Sequence, residues 1–360
     1  NYPEGKIYKG YKWYNFKSEN YKRKFIIHRV PTIPRGNSNY LQIFLNYLSF
    51  IFFGIFFGVF KLRKKNFDVI LVFAASPIFQ SLVGYIFKIL KKIKLVIWVQ
   101  DLWPENLQAL NIIKNKFILK IIYYLTSYTY NLSDILVAQS KSFKKILKKR
   151  SKKKKIFYLP NFAENLNKKI IKQNKNKKFI ILYAGNIGKA QKLITLLKSA
   201  NELRNNKKLI IKIFGDGVEL KKLKYYKNKN NLRNVKFYGK IPSSQIYVEY
   251  KKADALYLSL ANNKFLNFTI PAKLQTYFSM SRPIIASASG EIKEIINQSK
   301  AGFCSHPENE KMLAKNILKM INLKKNKIKS LKNNSKKYYL RNFDNKLVNM
   351  QLIRILNYKK

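Results

Sequence analysis

Lys273 follows Pro271 by two residues within the stretch 267–291 (NFTIPAKLQTYFSMSRPIIASASGE). The pattern of this stretch indicates a helix, a strand and a turn. Thr269 is placed to cap the helix, and Pro271 suits its first turn. The unpaired amides and the positive end of the helix dipole would then lie beside Lys273, an arrangement that binds phosphate. This stretch therefore predicts a phosphate site.

The second half of the same stretch could bind a sugar. The run RPIIASAS, 282–289, is apolar and β-branched, as buried parallel strands are, and Gly290 and Glu291 follow it directly. Ligands of open α/β sheets bind at the carboxyl ends of the strands, where the Glu291 carboxylate could accept hydrogen bonds from hydroxyl groups. One turn could thus hold both a phosphate and a sugar.

Two further turns carry glycines immediately after predicted strands. The run Gly185-Asn186-Ile187-Gly188 ends the first strand of the second half, and Gly215-Asp216-Gly217 repeats the arrangement one strand later. Glycine lets the backbone approach an anion closely and present its amides. Strand-to-helix turns also use glycine for geometry alone, so both interpretations stay open.

Acidic and metal-binding residues are few in this chain. Asp101 ends a predicted buried strand, where a carboxylate is costly unless it serves a site, although it could instead cap the next helix. The two histidines, His28 and His306, are far apart, and no Asp-x-Asp sequence occurs. We therefore expect no metal site. We expect Lys273, helix ends and glycine amides to stabilise the negative charge of a leaving phosphate instead.

Alternating strands and helices must position these residues. From residue 68 onward, β-branched runs alternate with helical segments, which predicts doubly wound parallel sheets. Residues 163–178 are polar and aperiodic like a linker, and they separate a first domain, 1–162, from a second, 179–345, with a helical tail at 346–360. The predicted fold class is α/β, with two Rossmann-like domains facing across a cleft.

Residues 41–60 (LQIFLNYLSFIFFGIFFGVF) carry no charge and would form a helix of about 30 Å, long enough to cross a bilayer. Gln42, Asn46 and Ser49 fall on one face of that helix, and a core-type strand begins soon after it. A helix lying in or against the membrane surface is therefore favoured over a spanning helix, and an ordinary core helix is the third possibility.

Glycines and lysines refine the interpretation of this segment. Gly54 and Gly58 form a GxxxG pair, which we expect to let the helix pack closely on a sheet rather than on a second membrane helix. The basic run KLRKK, 61–65, suits both the helix end and anionic headgroups. Upstream, residues 1–40 indicate irregular chain with one strand, KFIIHRV, 24–30.

The composition indicates a strongly basic globular protein. Its 360 residues include 73 lysines and arginines against 17 acids, which gives a formal charge of +56. The single cysteine, Cys304, excludes an internal disulfide and favours the cytoplasm, although a secreted protein with few cysteines would look the same. Such a charge attracts nucleic acid, anionic lipid and phosphorylated substrates. Because lysines recur in nearly every segment, general compositional bias is the leading explanation and a membrane-surface role the second. No nucleic-acid-binding signature is present, so we expect no specific nucleic-acid partner.

The motifs together resemble those of family 4 glycosyltransferases of the GT-B fold. Across residues 68–303, the runs VIWVQDLWPENLQAL, YAGNIGKAQKL, FGDG, FYGKIP, TIPAKLQTYFSMSRPIIASASGE and AGF fall in the family's order and spacing. The resemblance is strongest to bacterial members of lipopolysaccharide O-antigen and capsule assembly, including N-acetylfucosamine transferases. It implies a UDP-sugar donor bound by the second domain, no cofactor, and metal-independent transfer with retention at the anomeric carbon. It also implies that the family's first strand would precede Asn1.

The resemblance assigns roles to individual residues. Asp101, Lys273 and Glu291 would be catalytic, with Asp101 facing the donor sugar or the acceptor. The turn at 185–188 would line the diphosphate, and the turn at 239–241 would lie beside the base. Most of the family has histidine, arginine, lysine and glutamate in place of Gln100, Asn186, Gln191 and Thr276. The residues expected to bind the donor are Gly185, Asn186, Gly188, Gln191, Gly215, Gly217, Gly239, Ile241, Thr269, Pro271, Gln275, Tyr277 and Gly290.

These inferences give one principal hypothesis and two alternatives. We expect a retaining, metal-independent glycosyltransferase that moves an N-acetylated amino or deoxy sugar from a UDP-sugar to a saccharide carried on polyprenyl diphosphate. Residues 41–65 motivate this acceptor and a peripheral location at the inner face of the cell membrane. A UDP-sugar epimerase on the same scaffold is the first alternative, although the sequence offers no acid–base pair for it. A basic, membrane-associated protein without catalytic activity is the second.

Overall fold

The computed structural model describes residues 5, 7–36, 39–109, 111–151, 154–163 and 178–358. The chain divides into two compact units. The predicted linker, 163–178, lies outside the described residues except for its first and last residue. Unit 1 comprises residues 1–105, 113–138 and 144–157, and unit 2 comprises residues 106–112, 139–143 and 158–360.

Unit 1 contains an antiparallel hairpin near its start. The hairpin pairs β1 (Lys17–Tyr21) with β2 (Phe25–Arg29). The second strand confirms the strand predicted within 24–30. The first has the polar sequence KSENY, which lacks the alternation of apolar residues that predicts a strand. The sequence therefore predicts only half of this hairpin.

The sheet of unit 1 follows the strand and helix alternation predicted from residue 68. Its strands are β3 (Val69–Ala74), β4 (Lys94–Val99), β5 (Ile135–Ala138) and β6 (Lys155–Tyr158), adjacent in that order. The first three pair in parallel. The helices in this part of the chain are α1 (Tyr40–Leu62), α2 (Ser81–Lys91), α3 (Glu105–Ala109), α4 (Lys116–Asn131) and α5 (Lys141–Arg150).

Helix α1 confirms the helix predicted over 41–60. The Asn39 side chain caps it by accepting a hydrogen bond from the Gln42 amide at 2.8 Å. The prediction that its glycines pack on a sheet is wrong. A Cβ added to Gly54 would lie 3.1 Å from Val83, and one added to Gly58 would lie 2.9 Å from Phe87, both on α2. The glycines instead let two helices approach closely.

In the part of the chain that the structure describes, unit 2 contains six parallel strands, all at predicted positions. They are β7 (Phe179–Ala184), β8 (Leu209–Phe214), β9 (Val235–Gly239), β10 (Ala255–Ser259), β11 (Ile284–Ser287) and β12 (Gly302–Ser305). Their order across the sheet is β9-β8-β7-β10-β11-β12. Numbered within the unit this is 3-2-1-4-5-6, the Rossmann order, in which ligands bind at the carboxyl ends near the reversal between the first and fourth strands. The predicted α/β fold class is confirmed.

Helices cover both faces of this sheet, so its central strands are buried on both sides. Along β7, Ile180 and Leu182 belong to one hydrophobic cluster, while Ile181 and Tyr183 belong to the other. The polar loops at the carboxyl ends of the strands are therefore where unit 2 can offer a site. The helices are α6 (Ile194–Glu202), α7 (Leu220–Lys229), α8 (Ser243–Lys252), α9 (Ala272–Ser279), α10 (Glu291–Ser299), α11 (Glu310–Ile321), α12 (Lys325–Asn342) and α13 (Asn345–Leu356), the last of which confirms the helix predicted in 346–360.

Candidate functional site

Three turns at the carboxyl ends of β7, β8 and β9 are hydrogen-bonded to one another. The amide of Gly185 donates to Phe214 O at 3.0 Å, and the amide of Gly215 donates to Gly239 O at 2.8 Å. Gly215 has a φ of +130°, and a side chain there would collide with the backbone of Gly185. The turns after β7 and β8 therefore need glycine in order to approach each other.

These bonds change the predicted role of the amides at 185–188. The Ile187 amide donates to Asp216 O at 2.8 Å, and the Gly188 amide donates to the Gln191 Oε1 atom at 3.1 Å. Among these amide bonds, the one to Gln191 has a side-chain acceptor, which a ligand could displace more easily than a backbone acceptor. The turn thus offers a ligand fewer amides than the sequence predicts.

A cavity of about 520 Å³ lies beside these turns in unit 2. Ligand pockets of about 300–1,000 Å³ accommodate molecules of nucleotide size. Five residues that the sequence analysis assigned to donor binding line this cavity: Gly185, Asn186, Gly215, Gly217 and Ile241. The structure therefore brings together residues from three separate motifs.

Sequence reasoning missed one wall of the cavity. Ser243, Ile246 and Tyr250 line it from α8, which begins just after the turn at 239–241. Their spacing of three and four residues places them on one face of the helix. Helical periodicity behind the predicted base-binding turn could have identified them. The remaining lining residues are Ala184, Phe214, Asp216 and Lys240.

Lys273 of α9 lies against the turn that follows β7. Its Nζ atom donates to the Tyr183 hydroxyl at 2.8 Å and lies 4.0 Å from the centre of the Tyr183 ring. The same hydroxyl donates to Asn186 O at 2.5 Å. A Cβ added to Gly185 would lie 2.8 Å from Nζ, so this glycine makes room for the ammonium group. The lysine predicted to bind phosphate is therefore held beside the turn at 185–188.

Burial makes this lysine unusual electrostatically. Desolvation lowers the pKa of Lys273 from 10.5 to about 7. Its hydrogen-bond partner is the hydroxyl of Tyr183, which stays neutral because burial raises the pKa of that tyrosine. A desolvated cation gains more from an anionic ligand than an exposed one does, because water does not already solvate it. Lys273 is thus suited to receive an anion.

Helix α9 begins differently from the prediction. Its N-cap is Pro271, and no side chain caps it. Thr269 instead follows a 3-10 turn, Leu266–Phe268, and its amide donates to the carbonyl at the start of that turn at 3.2 Å. The predicted capping by Thr269 is therefore wrong. The Leu274 amide donates to Pro271 O at 2.8 Å, so the amides before it belong to the unpaired positive end of the helix beside Lys273.

Residues 163–338 match the family model for glycosyl transferases group 1. The matched segment contains all the cavity residues and Lys273. Over 301 residues, the chain is 24% identical to the probable glycosyltransferase WbjE of Pseudomonas aeruginosa, an alignment that covers 79% of this chain and 73% of WbjE. Both findings support a glycosyltransferase.

Solved glycosyltransferase structures share the fold. A glycosyltransferase from Rickettsia africae superposes with a TM-score of 0.68 at 15% identity, covering 88% of this chain and 83% of that one. The HepE protein of Anabaena, solved with UDP and glucose, superposes with a TM-score of 0.68 at 14% identity, covering 85% and 81%. Sucrose-phosphate synthase from Thermosynechococcus elongatus gives 0.73 at 14% identity, covering 94% and 84%. These likenesses confirm the predicted GT-B fold with two Rossmann-like domains.

Gly290 and Glu291 begin α10 at the end of the stretch that the sequence singled out. Glu291 is 4% exposed, and its Oε1 atom accepts a hydrogen bond from the Ser142 amide at 2.5 Å. Nearby, the Ser140 hydroxyl donates to Phe268 O at 2.6 Å, and both serines belong to unit 2. The Glu291 carboxylate is thus engaged by a backbone amide. Its predicted contact with sugar hydroxyls stays a prediction.

Two predicted donor residues lie in the core of unit 2 instead. Gln275 and Tyr277 are fully buried, and neither lines the cavity. The Tyr277 hydroxyl donates to Tyr257 O at 2.9 Å. Tyr277 follows Leu274 at the spacing of three residues that defines the inner face of α9, so its position is that of a core residue.

Asp101 lies in unit 1, two residues beyond the end of β4, and is half-buried. The residues after it make structural contacts: the Trp103 Nε1 atom donates to the Ser76 hydroxyl at 2.5 Å, and Glu105 pairs with Arg150 at 3.1 Å. The cavity and Lys273 belong to unit 2, and the predicted catalytic role of Asp101 stays a prediction. Within the described ranges, no group of three or more His, Cys, Asp or Glu side chains could hold a metal ion.

Proposed function

We propose that this protein is a retaining, metal-independent glycosyltransferase of family 4 that transfers a sugar from a UDP-sugar to a saccharide acceptor. The observation that carries the proposal is the desolvated ammonium group of Lys273, held against Gly185 at a turn that lines a cavity of about 520 Å³. This site lies within the segment that matches glycosyl transferases group 1. Proteins of the same fold were solved with UDP and with UDP-glucose, which supports a uridine nucleotide as donor.

The proposed chemistry follows from this arrangement. The base of UDP would bind between α8 and the turn at 239–241, and the diphosphate would reach Lys273. The bond between the anomeric carbon and the diphosphate oxygen breaks, and the acceptor hydroxyl oxygen bonds to the same carbon from the same face. The proton of that hydroxyl passes to the departing diphosphate. The Lys273 ammonium and the positive end of α9 stabilise the charge that develops there, so no metal ion is needed in this role.

The nature of the sugar and the acceptor is a finer part of the proposal. The motif over 267–291, which resembles that of transferases of N-acetylated deoxy sugars, supports an N-acetylated amino or deoxy sugar. The exposed apolar helix α1 and the basic run at 61–65 support an acceptor carried on polyprenyl diphosphate. We therefore place the protein in the cytoplasm, at the inner face of the cell membrane, in the synthesis of a surface polysaccharide such as O-antigen or capsule.

Calorimetric titration with UDP tests the donor site. At moderate salt, which screens general attraction to a chain of charge +56, and with EDTA present, we expect one saturable site. Lys273→Met should weaken it at least about tenfold, because a hydrogen bond to a charged group contributes about 1.5–3 kcal/mol. Lys222→Met removes the same charge from an exposed position on α7 and is the matched control.

The outcomes separate the parts of the proposal. Absent UDP binding, or equal losses in Lys222→Met and Lys273→Met, would refute the donor site. Binding that appears only when Mg²⁺ replaces EDTA would refute metal independence. Retention is tested by determining the anomeric configuration of a transfer product by NMR, since an inverted linkage would overturn that assignment.

A further inference from the structure

Helix α1 exposes a continuous apolar row along its length. Phe44, Leu48, Phe52, Phe56 and Phe60 follow one another at four-residue intervals, and each is between 45% and 64% exposed. Each step of four residues turns the row by about 40° around the helix, so the five side chains span about 160°, with Phe52 at the centre of this apolar face. Of the helices in the described ranges, α1 is the one long and apolar enough to cross a membrane, and 11% of its most apolar 18-residue window is buried. The row is too extensive for an ordinary solvated helix face.

The opposite side of α1 is attached to the protein from end to end. In its first half, the Asn46 Nδ2 atom donates to Ile33 O at 2.6 Å, and the Ile33 amide donates to the Ser49 hydroxyl at 2.9 Å. In its second half, Gly54 and Gly58 lie against side chains of α2. The exposed aromatic row and the attached side are thus about half a turn apart along the whole helix.

This attachment is incompatible with α1 crossing a bilayer. A spanning helix would carry α2 and its charged groups into the hydrocarbon core. The Lys91 Nζ atom donates to Arg63 O near the end of α1, and Lys88 pairs with Asp134 at 2.9 Å. Charged side chains are strongly disfavoured at the centre of a bilayer. Lying parallel to the surface, α1 could bury its aromatic row while α2 remained in water.

The charge beside the row identifies the lipid. Lys61, Arg63, Lys64 and Lys65 are exposed at the carboxyl end of α1. Each basic residue near an anionic membrane surface adds attraction to its headgroups, in addition to the apolar burial. We infer that α1 lies flat in the interface of an anionic phospholipid bilayer, with Phe44, Leu48, Phe52, Phe56 and Phe60 inserted between the acyl chains. This deepens the membrane part of the proposed function and is independent of sugar transfer.

Depth measurements distinguish a flat helix from a spanning one. The chain has a single cysteine, so a Cys304→Ser background allows one fluorophore to be attached at Phe44→Cys, Phe52→Cys or Phe60→Cys. On anionic vesicles, quenching by lipids labelled at known depths should place all three probes within about 5 Å of one another, just below the headgroups. A spanning helix would separate the first and last by about 24 Å, and that result would overturn the inference.

Vesicle binding supplies the second test. Phe52→Glu with Phe56→Glu should reduce binding to vesicles of phosphatidylglycerol and phosphatidylcholine at least tenfold, and vesicles of phosphatidylcholine alone should bind the wild type at least tenfold more weakly. Tyr225→Glu with Met312→Glu adds the same charge to exposed positions of unit 2 and should change nothing. Undiminished binding of the first variant would refute the inference. Calorimetric titration with UDP on the same variants shows whether the donor site is intact, so failure here and failure of the proposed function are distinguishable.

Discussion

Raising the pH from 7 to 9 should weaken UDP binding by neutralising Lys273. Because burial lowers its pKa to about 7, about half of this lysine is charged at pH 7 and about one per cent at pH 9. The affinity would fall about fiftyfold if the charged form alone bound UDP. The contribution of a charged hydrogen bond, about 1.5–3 kcal/mol, sets a limit of about ten- to hundredfold. Because half of the lysine is already neutral at pH 7, these limits together give an expected loss of roughly five- to 25-fold.

Calorimetry at pH 7, 8 and 9, in two buffers of different ionisation enthalpy, measures both affinity and proton uptake. Binding a diphosphate should raise the pKa of Lys273, so about half a proton should be taken up at pH 7, and the uptake should pass through a maximum and decline again toward pH 9. The terminal phosphate of UDP is ionised over this range, and Tyr183 stays protonated because burial raises its pKa. Lys273→Met should abolish both effects. A flat affinity in the wild type, or a pH dependence that survives in the variant, would refute the reasoning.

The same desolvation predicts how stability depends on pH. An unfolded chain carries this lysine with a pKa near 10.5, whereas the folded chain lowers it to about 7, so between these values the unfolded state binds more protons. Folding stability should therefore rise with pH across that window, and the full cost of burial is present below pH 7. Lys273→Met should be more stable than the wild type at pH 7, on the order of a few kcal/mol, and the difference should shrink toward pH 10. Urea unfolding at both pH values measures it, and a constant difference would contradict the prediction.

Three further substitutions test individual contacts. Tyr183→Phe removes the hydroxyl that accepts a hydrogen bond from Lys273 but keeps the ring beneath the ammonium group. UDP affinity should fall severalfold, and the pH at which this affinity is half lost should move. An unchanged pH profile in calorimetry would show that the hydroxyl does not position the lysine. Gly215→Ala places a side chain at a φ of +130° and against the backbone of the turn at Gly185. UDP binding should be lost, and the free energy of unfolding in urea should fall by about 1–3 kcal/mol. Normal UDP binding would contradict the conclusion that these turns need glycine to approach each other. Glu105→Gln leaves the buried Arg150 without its ion-pair partner. The free energy of unfolding of unit 1 should fall by about 3 kcal/mol, while UDP binding by unit 2 should be unchanged. A urea midpoint equal to that of the wild type would contradict this prediction.

Strand positions could be predicted because each strand of the two sheets has a recognisable local sequence. Runs such as FIILYA at 179–184 and LIIKIF at 209–214 are apolar and β-branched because the strands are covered on both faces. Alternation with helices then indicates parallel pairing and the doubly wound order. The position of Lys273 at the start of a helix could be predicted for a similar reason, and its binding of phosphate stays a prediction. Lys273 follows a helix start, and that start lies at the carboxyl end of a sheet whose strands were already located.

The contacts that failed prediction depend on residues distant in sequence. Gly54 and Gly58 predict that another element packs closely on α1, but the sequence does not show whether that element is a strand or α2. Thr269 has the residue type of a cap, but the 3-10 turn before it already uses its amide. The glycine turn at 185–188 similarly predicts amides that could bind an anion, whereas Phe214 at the end of β8 and Asp216 in the turn after it accept two of them. Local pattern fixes which backbone is available for bonding, and tertiary pairing decides what it bonds to.

The charge of the chain and the charge of the site act differently on anion binding. The 73 lysines and arginines attract any polyanion, and that attraction is screened by salt but persists to pH 9, since an exposed lysine titrates near 10.4. The contribution of Lys273 has the opposite sensitivities, because its burial shields it from salt and lowers its pKa to about 7. Salt and pH can therefore separate specific diphosphate binding from general attraction in one protein. This is also why the composition could not point to the site: Lys273 differs from most of the other lysines in its desolvation rather than in its charge.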